Sequence, residues 1–437
     1  ISIMKLFSTQ HESADVDLQE AIFRGLPPDN GLYMPYEIPA MPASFFESIH
    51  TLSLPQIAKA VCKNLLGADL TDAEIDRIID TSMTFEAPVV PLEENVGVLE
   101  LFHGPSMAFK DFGARFMAAI MSHYLVKAKR EIRILVATSG DTGGAVAQGF
   151  YNTPGISVTI LYPTGKVSDI QEKQLTTLGG NVTALEIDGT FDDCQRLVKQ
   201  AFLDADLRSA FNLASANSIN IARLIPQSFY YFAAYAALRK QGVAKPVVFS
   251  VPSGNFGNLS AGLMAYQMGL PVHAFVAACN ANHPVPDYLA TGKYEPKPSV
   301  ETISNAMDVG APSNFIRMRL LAGEEIDQVR KIVKGYDTTD EKTKEIMLDV
   351  YQRTGYVMCP HTAVAYDGLL QYAAEYPGDY YGVLLSTAHY AKFLPTVEST
   401  LGTRVEVPAR LAELLDKQKK SIPMGTDFEG FKQYLLG

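Results

Sequence analysis

Residues 132–150 read IRILVATSGDTGGAVAQGF, and residues 246–268 read PVVFSVPSGNFGNLSAGLMAYQM. Each is a short apolar run, then Ser-Gly-[Asp or Asn]-x-Gly, then small residues with helical character. A junction between a buried strand and a helix start leaves backbone N–H groups unpaired at the positive end of the helix dipole. Glycine there lets an anion approach the backbone. In open parallel sheets ligands gather at the carboxyl ends of strands, where both loops sit. One such loop is equally well a tight turn; two in one acidic chain favour a pair of anion cradles. Neither fits G-x-G-x-x-G or G-x-x-x-x-G-K-[ST], so the dinucleotide-binding and P-loop fingerprints are missing.

Outward from these loops the same texture continues. Strand patterns recur at 157–164 (SVTILYPT), 182–187 (VTALEI), 272–278 (VHAFVAA) and 381–387 (YGVLLST). Helical patterns lie between strands at Phe191 to Asp204, Ser218 to Lys240 and Leu259 to Met268. Near-continuous apolar strands separated by helices predict an α/β fold with parallel sheets covered on both faces. Residues 1–90 differ: Leu54 to Leu66 and the capped segment from Thr71 to Glu74 predict helices, with no evident chemistry. From Ala409, ARLAELLDKQKK predicts an amphipathic helix with a solvated charged side.

The chain has 437 residues, 47% apolar and 19% charged, which suits two or three packed units with a large core. Its 37 Lys and Arg against 48 Asp and Glu leave a net charge of −11, which argues against nucleic acid. Cys62, Cys194, Cys279 and Cys359 form no C-x-x-C pair and read as reduced core residues. The histidines show no metal-ligand spacing, so no metal is expected. No run of about 18 apolar residues offers a membrane span, and the N-terminus lacks a signal-peptide core. A cytoplasmic protein is expected, with Met4 as its native start after the remnant Ile1-Ser2-Ile3.

HGPSMAFKDFG (103–113) sets Lys110 between aromatic residues at a helix opening. A buried amine loses its charge readily, and a neutral amine forms a Schiff base with an aldehyde. The alternative is a stem packed on aromatics with its ammonium in water or on Asp111. A Schiff-base lysine with a phosphate cradle is what pyridoxal 5′-phosphate (PLP) requires; the second cradle then suits a substrate anion.

At this point the sequence resembles the threonine synthases among the fold-type II PLP enzymes. The resemblance covers most of the chain. It rests on MKLFST and DNGLYMP near the start, HGPSMAFKDFG, ATSGDTGGAVA, NSINIARL, VPSGNFGNLSAG, NAMDVGAPSNF, PHTAVAYDG and LLSTAHYAKF. One departure is Tyr390, where the family usually has proline after Thr-Ala-His.

The resemblance implies a tryptophan-synthase-β-like fold with two α/β domains and an N-terminal extension. It places a mainly helical region at 1–90, the large PLP-binding domain at 91–110 and 216–437, and a smaller inserted domain at 111–215. It implies that Lys110 carries the cofactor, that Gly254, Asn255, Phe256, Gly257 and Asn258 hold its phosphate, and that Asp141 lies near its 3′-oxygen. Thr387 falls on the pyridine nitrogen, with Ser386 as the alternative. Ser139, Thr142, Asn217, Ser218, Asn220 and Arg223 are implied on the substrate side. For Arg223 an ordinary helix-face ion pair is the competing reading. Ser313, Asn314, His361 and Thr362 are further pocket candidates. The implied reaction converts O-phospho-L-homoserine and water to L-threonine and phosphate. The competing outcomes are a phospho-lyase giving 2-oxobutyrate and a non-catalytic PLP-binding protein. A small-molecule substrate, no membrane partner, and a monomer or homodimer complete the expectation.

Overall fold

Every strand expected between residues 132 and 387 forms within two residues of its expected ends in the computed structural model, which describes residues 3–437. The remnant expected at the N-terminus falls partly on Ile1 and Ser2, outside the described residues. The larger sheet has six strands in the order Val333–Asp337, Ala274–Cys279, Val247–Pro252, Tyr381–Ser386, Val96–Glu100 and Val89–Glu93. All pairings are parallel except the last, a hairpin whose turn places Asn95 at φ 61°. Val247–Pro252, Ala274–Cys279 and Tyr381–Ser386 are buried at every position. Their unbroken apolar runs have this cause: helices cover both faces of the sheet.

The second sheet is wholly parallel, ordered Ile422–Met424, Val182–Ile187, Ile156–Pro163, Ile132–Ala137, Leu213–Ser215. A small antiparallel pair, Leu6–Ser8 with Tyr33–Pro35, belongs to the N-terminal region. There the helices Leu54–Leu66 and Asp72–Ser82 each open with a capping box, Ser53 with Gln56 and Thr71 with Glu74. All four cysteines are buried and free. Among the described residues no helix is long and apolar enough to cross a membrane.

Two expectations need correction. The helix expected from Ser218 to Lys240 is two, Ile221–Leu224 and Gln227–Lys240, because Pro226 has no N–H for the ladder. The helix expected from Ala409 ends at Leu415, and the lysine run beyond it is not a solvated helical face. Lys419 reaches Glu172 at 3.2 Å and Glu186 at 2.7 Å, strapping the chain along the second sheet. That strap leads to Ile422–Met424, which pairs with Val182–Ile187 of the second sheet. Phe431 and Leu435, one turn apart on helix Phe428–Leu436, bury themselves against Leu135, Leu161, Leu185 and Leu207. We propose the domain division with residues 422–436 moved to the unit built on 111–215.

Phe431 is fully buried in this cluster. Phe431→Ala is expected to destabilise the second unit by about 3–5 kcal/mol. A urea melt followed by circular dichroism checks this, and a midpoint equal to that of the parent chain would refute it.

Candidate active site

Three adjacent strands of the larger sheet run parallel, so their carboxyl ends open on one edge. Val247–Pro252 leads into the loop at 253–257, Tyr381–Ser386 into Thr387, and Val96–Glu100 into the segment ending at Lys110. Phe109 N–H donates to Thr387 O at 2.7 Å, and His389 N–H donates to Met107 O at 3.0 Å. Ala108 thereby bridges Ala388. Lys110 follows Phe109 and is the first residue of helix Lys110–Ala128.

The Lys110 amine lies 4.6 Å from the Phe109 ring centre. Asp111 does not serve it: that carboxylate accepts the Ser106 N–H at 3.0 Å instead. Lys110 keeps some exposed surface, yet protein atoms crowd its amine. Desolvation first, then the Arg223 charge, hold its pKa at about 8, while Asp141 pulls the other way.

In the first loop Phe256 takes a left-handed conformation at φ 67° and caps helix Gly257–Gln267. The backbone N–H groups of Gly254, Asn255, Phe256 and Asn258 have no acceptor among the described residues. Gly257 differs, its N–H being taken by Asn255 Oδ1 at 2.8 Å. The Asn258 side chain also works internally, donating to Pro252 O and accepting from Leu259 N–H. A Cβ on Gly254 would come within 2.9 Å of Met307 Cα, so only glycine fits.

The second loop brings Asp141 from the other sheet, at the start of helix Asp141–Phe150. Gly140 reaches φ 147°, where a Cβ would strike Gln171. Lys392 Nζ, fully buried, lies 2.6 Å from Asp141 Oδ1 and donates to Ser106 O at 3.0 Å. Asp141 is therefore held below the usual carboxylate range: its burial pushes up, and the Lys392 charge and hydrogen bond outweigh that. His361 is held neutral, its pKa lowered to about 4 by burial against a smaller opposing pull from Asp141. His361 Nε2 accepts the Ala306 N–H at 3.1 Å.

The expected substrate-side residues divide. Ser139 and Asn217 are exposed, Thr142 and Ser218 half-buried. Ser218 Oγ accepts from Asn255 Nδ2 at 2.9 Å, joining its segment to the first loop. Asn220 is buried; its Nδ2 donates to Ile22 O and its Oδ1 accepts the Ala222 N–H, anchoring the segment. Arg223 is buried, donates to Ala216 O at 2.5 Å, and leaves Nε without a partner. No carboxylate pairs with it among the described residues, which removes the helix-face ion pair; burial alone lowers its pKa to about 10. A buried guanidinium without a counter-ion is costly and marks a place for an anion.

At the strand end, Ser386 Oγ meets Thr362 Oγ1 at 2.8 Å. Thr387 has no side-chain partner among the described residues. Tyr390 leaves the turn intact: it opens a 3-10 turn capped by His389, and its hydroxyl donates to Glu406 O at 2.8 Å. Lys392 was not singled out from the sequence. Its signal was the one that marks Lys110, a lone lysine in an apolar run (YAKF beside AFKDF).

A free, desolvated amine, a row of unpaired N–H groups at a helix start and an unpartnered threonine hydroxyl fit PLP's aldehyde, phosphate and ring nitrogen. Residues 87–387 match the family model described as pyridoxal-phosphate dependent enzyme, and this fold is the fold-type II PLP architecture. Residues 5–83 match the threonine synthase N terminus and residues 362–435 the threonine synthase C-terminal region. The chain is 42% identical to threonine synthase of Escherichia coli over 99% of each chain, and 43% identical to that of Haemophilus influenzae over 99% and 100%. The crystal structure of the E. coli protein superposes with a TM-score of 0.89 over 99% of each chain. PLP-bound threonine synthase from Brucella melitensis gives 0.91 at 33% identity, covering 99% of this chain and 98% of that one. The chain belongs to the threonine synthase family, whose members are PLP-dependent lyases.

The two charges facing Lys110 predict opposite shifts. In cofactor-free protein, Arg223→Gln is expected to raise the Lys110 pKa above about 8, and Asp141→Asn to lower it. The pH dependence of labelling Lys110 with an amine-reactive reagent, read by peptide mass spectrometry, measures both. Shifts of the same sign would refute the arrangement.

Proposed function

We propose that this chain converts O-phospho-L-homoserine and water to L-threonine and phosphate, with Lys110 as its catalytic residue. The observation that carries this reading is Arg223: a buried cation beside Lys110 with no carboxylate partner among the described residues, facing an amine that also feels Asp141 of the second anion loop. Bound PLP supplies the conjugated sink that makes protons at Cα and Cβ removable. The residues of this chain do the rest.

With a pKa near 8, the Lys110 amine exchanges protons near neutral pH, so it takes and returns them at Cα and Cβ. Arg223 binds a substrate anion, and its fork orients a phosphate or carboxylate through paired bonds. The γ-phosphate leaves with the Cγ–O electron pair; the proton from Cβ is balanced by one gained at Cγ. Water then gives hydroxyl to Cβ, its remaining proton goes to the departed phosphate, and Cα regains its own. Thr387 supports a neutral contact to the ring nitrogen: its hydroxyl is uncommitted where Ser386 is tied to Thr362. Asp141, kept ionised by Lys392, sits where it faces both Lys110 and His361.

Incubating the PLP-loaded protein with O-phospho-L-homoserine and separating the products tests the reaction. Threonine is the expected main product. 2-Oxobutyrate with ammonia would assign the phospho-lyase outcome, and no phosphate release would assign a non-catalytic PLP protein. Borohydride is expected to fix the cofactor on Lys110, and Lys110→Ala to slow phosphate release by about 10²–10⁴-fold or more. Thr387→Asp is expected to keep PLP but lose threonine formation, because a carboxylate holds the ring nitrogen protonated; unimpaired turnover would refute the role of Thr387.

A further inference from the structure

A second buried arginine lies behind the first anion loop. Arg317, on helix Phe315–Leu321, has no exposed surface, and its Nε has no partner among the described residues. Its Nη2 donates to Tyr33 O at 2.8 Å and its Nη1 to Asn314 Oδ1 at 3.1 Å. Because a guanidinium only donates, this contact fixes which end of the Asn314 amide is oxygen. The other end, Nδ2, is fully buried and has no acceptor.

That unsatisfied amide is aimed at the loop. The Asn314 backbone N–H donates to Asn255 O at 3.1 Å, tying the residue to the loop itself. Nδ2 lies 3.3 Å from where a Cβ on Gly257 would stand, at the first turn of helix Gly257–Gln267. An NH2 group buried without an acceptor is costly. A charged ligand at that helix start removes the cost and also compensates Arg317, whose pKa burial holds down at about 9.

We propose that Asn314 is a further ligand of the cofactor phosphate, donating from Nδ2 beside the Gly254–Asn258 loop, and that Arg317 is its positioning residue. The proposal rests on the assignment of that loop to the phosphate. It extends the cradle from backbone donors to one side-chain donor contributed by a separate segment. Arg317 links that segment to the N-terminal region through Tyr33.

The test compares PLP with pyridoxal, which lacks the phosphate. Cofactor-free protein is titrated with each, and binding is read from absorbance and from borohydride-trapped adduct on Lys110. Asn314→Ala is expected to weaken PLP about tenfold or more, the scale of one charge-assisted hydrogen bond, while leaving pyridoxal nearly unchanged. Asn314→Asp keeps the shape and the Arg317 contact but repels the phosphate, so it is expected to lose PLP more strongly than Asn314→Ala does. Arg317→Lys, which still donates to Oδ1, is expected to retain PLP better than Arg317→Met. Equal losses for PLP and pyridoxal, or an Asn314→Asp protein that binds PLP as the parent does, would overturn the proposal. Gly254→Ala is the separate control: if it leaves the ratio of PLP to pyridoxal affinity unchanged, the assignment of the loop fails instead.

Discussion

The site depends on one buried ammonium. Lys392 Nζ, without exposed surface, bonds Asp141 at the start of a helix from the second sheet and Ser106 O in the segment that delivers Lys110. Lys392 itself follows the strand that leads into Thr387. Three chain regions from two sheets therefore meet at a single charge. Removing one partner of a buried pair leaves the other uncompensated, at a cost of about 3–5 kcal/mol. The arrangement that sets Asp141 opposite Lys110 is held by that penalty, and Gln171, donating to Asp141 at 3.3 Å, reinforces it.

Charge balance explains why several polar groups around this hub have no partner within the protein. Arg223 and Arg317 are buried with no carboxylate partner among the described residues, and their hydrogen bonds go to carbonyls and an amide. The first loop keeps four backbone donors unspent. Ordinary folding satisfies such groups. Their concentration near one sheet edge is the signature of a site designed around anions that bring their own negative charge.

How legible this was depended on range. The parallel sheets were readable because a strand buried on both faces must be apolar throughout, and each glycine loop follows its strand directly. Lys110 was readable because an amine among aromatics is locally anomalous. The pairing of Ile422–Met424 with Val182–Ile187 was not readable: a three-residue strand carries almost no local pattern, and its partner lies more than half the chain away. An amide beside a helix start, such as Asn220, suits either capping or binding in the sequence, and its contact with Ile22 O, across 198 residues, was not readable there. Lys392 carried the same signal as Lys110, but its role required knowing that Asp141 stands opposite, which is a fact of packing between sheets.

The late position of two strands opposes the order of synthesis to the order of assembly. Tyr381–Ser386 sits in the interior of the larger sheet, between strands made far earlier, and Ile422–Met424 completes the edge of the second. Until these segments emerge from the ribosome, Val247–Pro252 and Val96–Glu100 have no common neighbour, and the cluster of Leu185 and Ile187 lacks Phe431 and Leu435. Contacts this distant in sequence form slowly, because chain closure is paid for before burial rewards it. The nascent chain thus carries open strand edges through most of its translation, a state prone to association with other unfinished chains. Because Lys110 is anchored to residues 387–389, the pocket cannot exist before those residues do. Cofactor capture therefore belongs to the end of folding and cannot seed it.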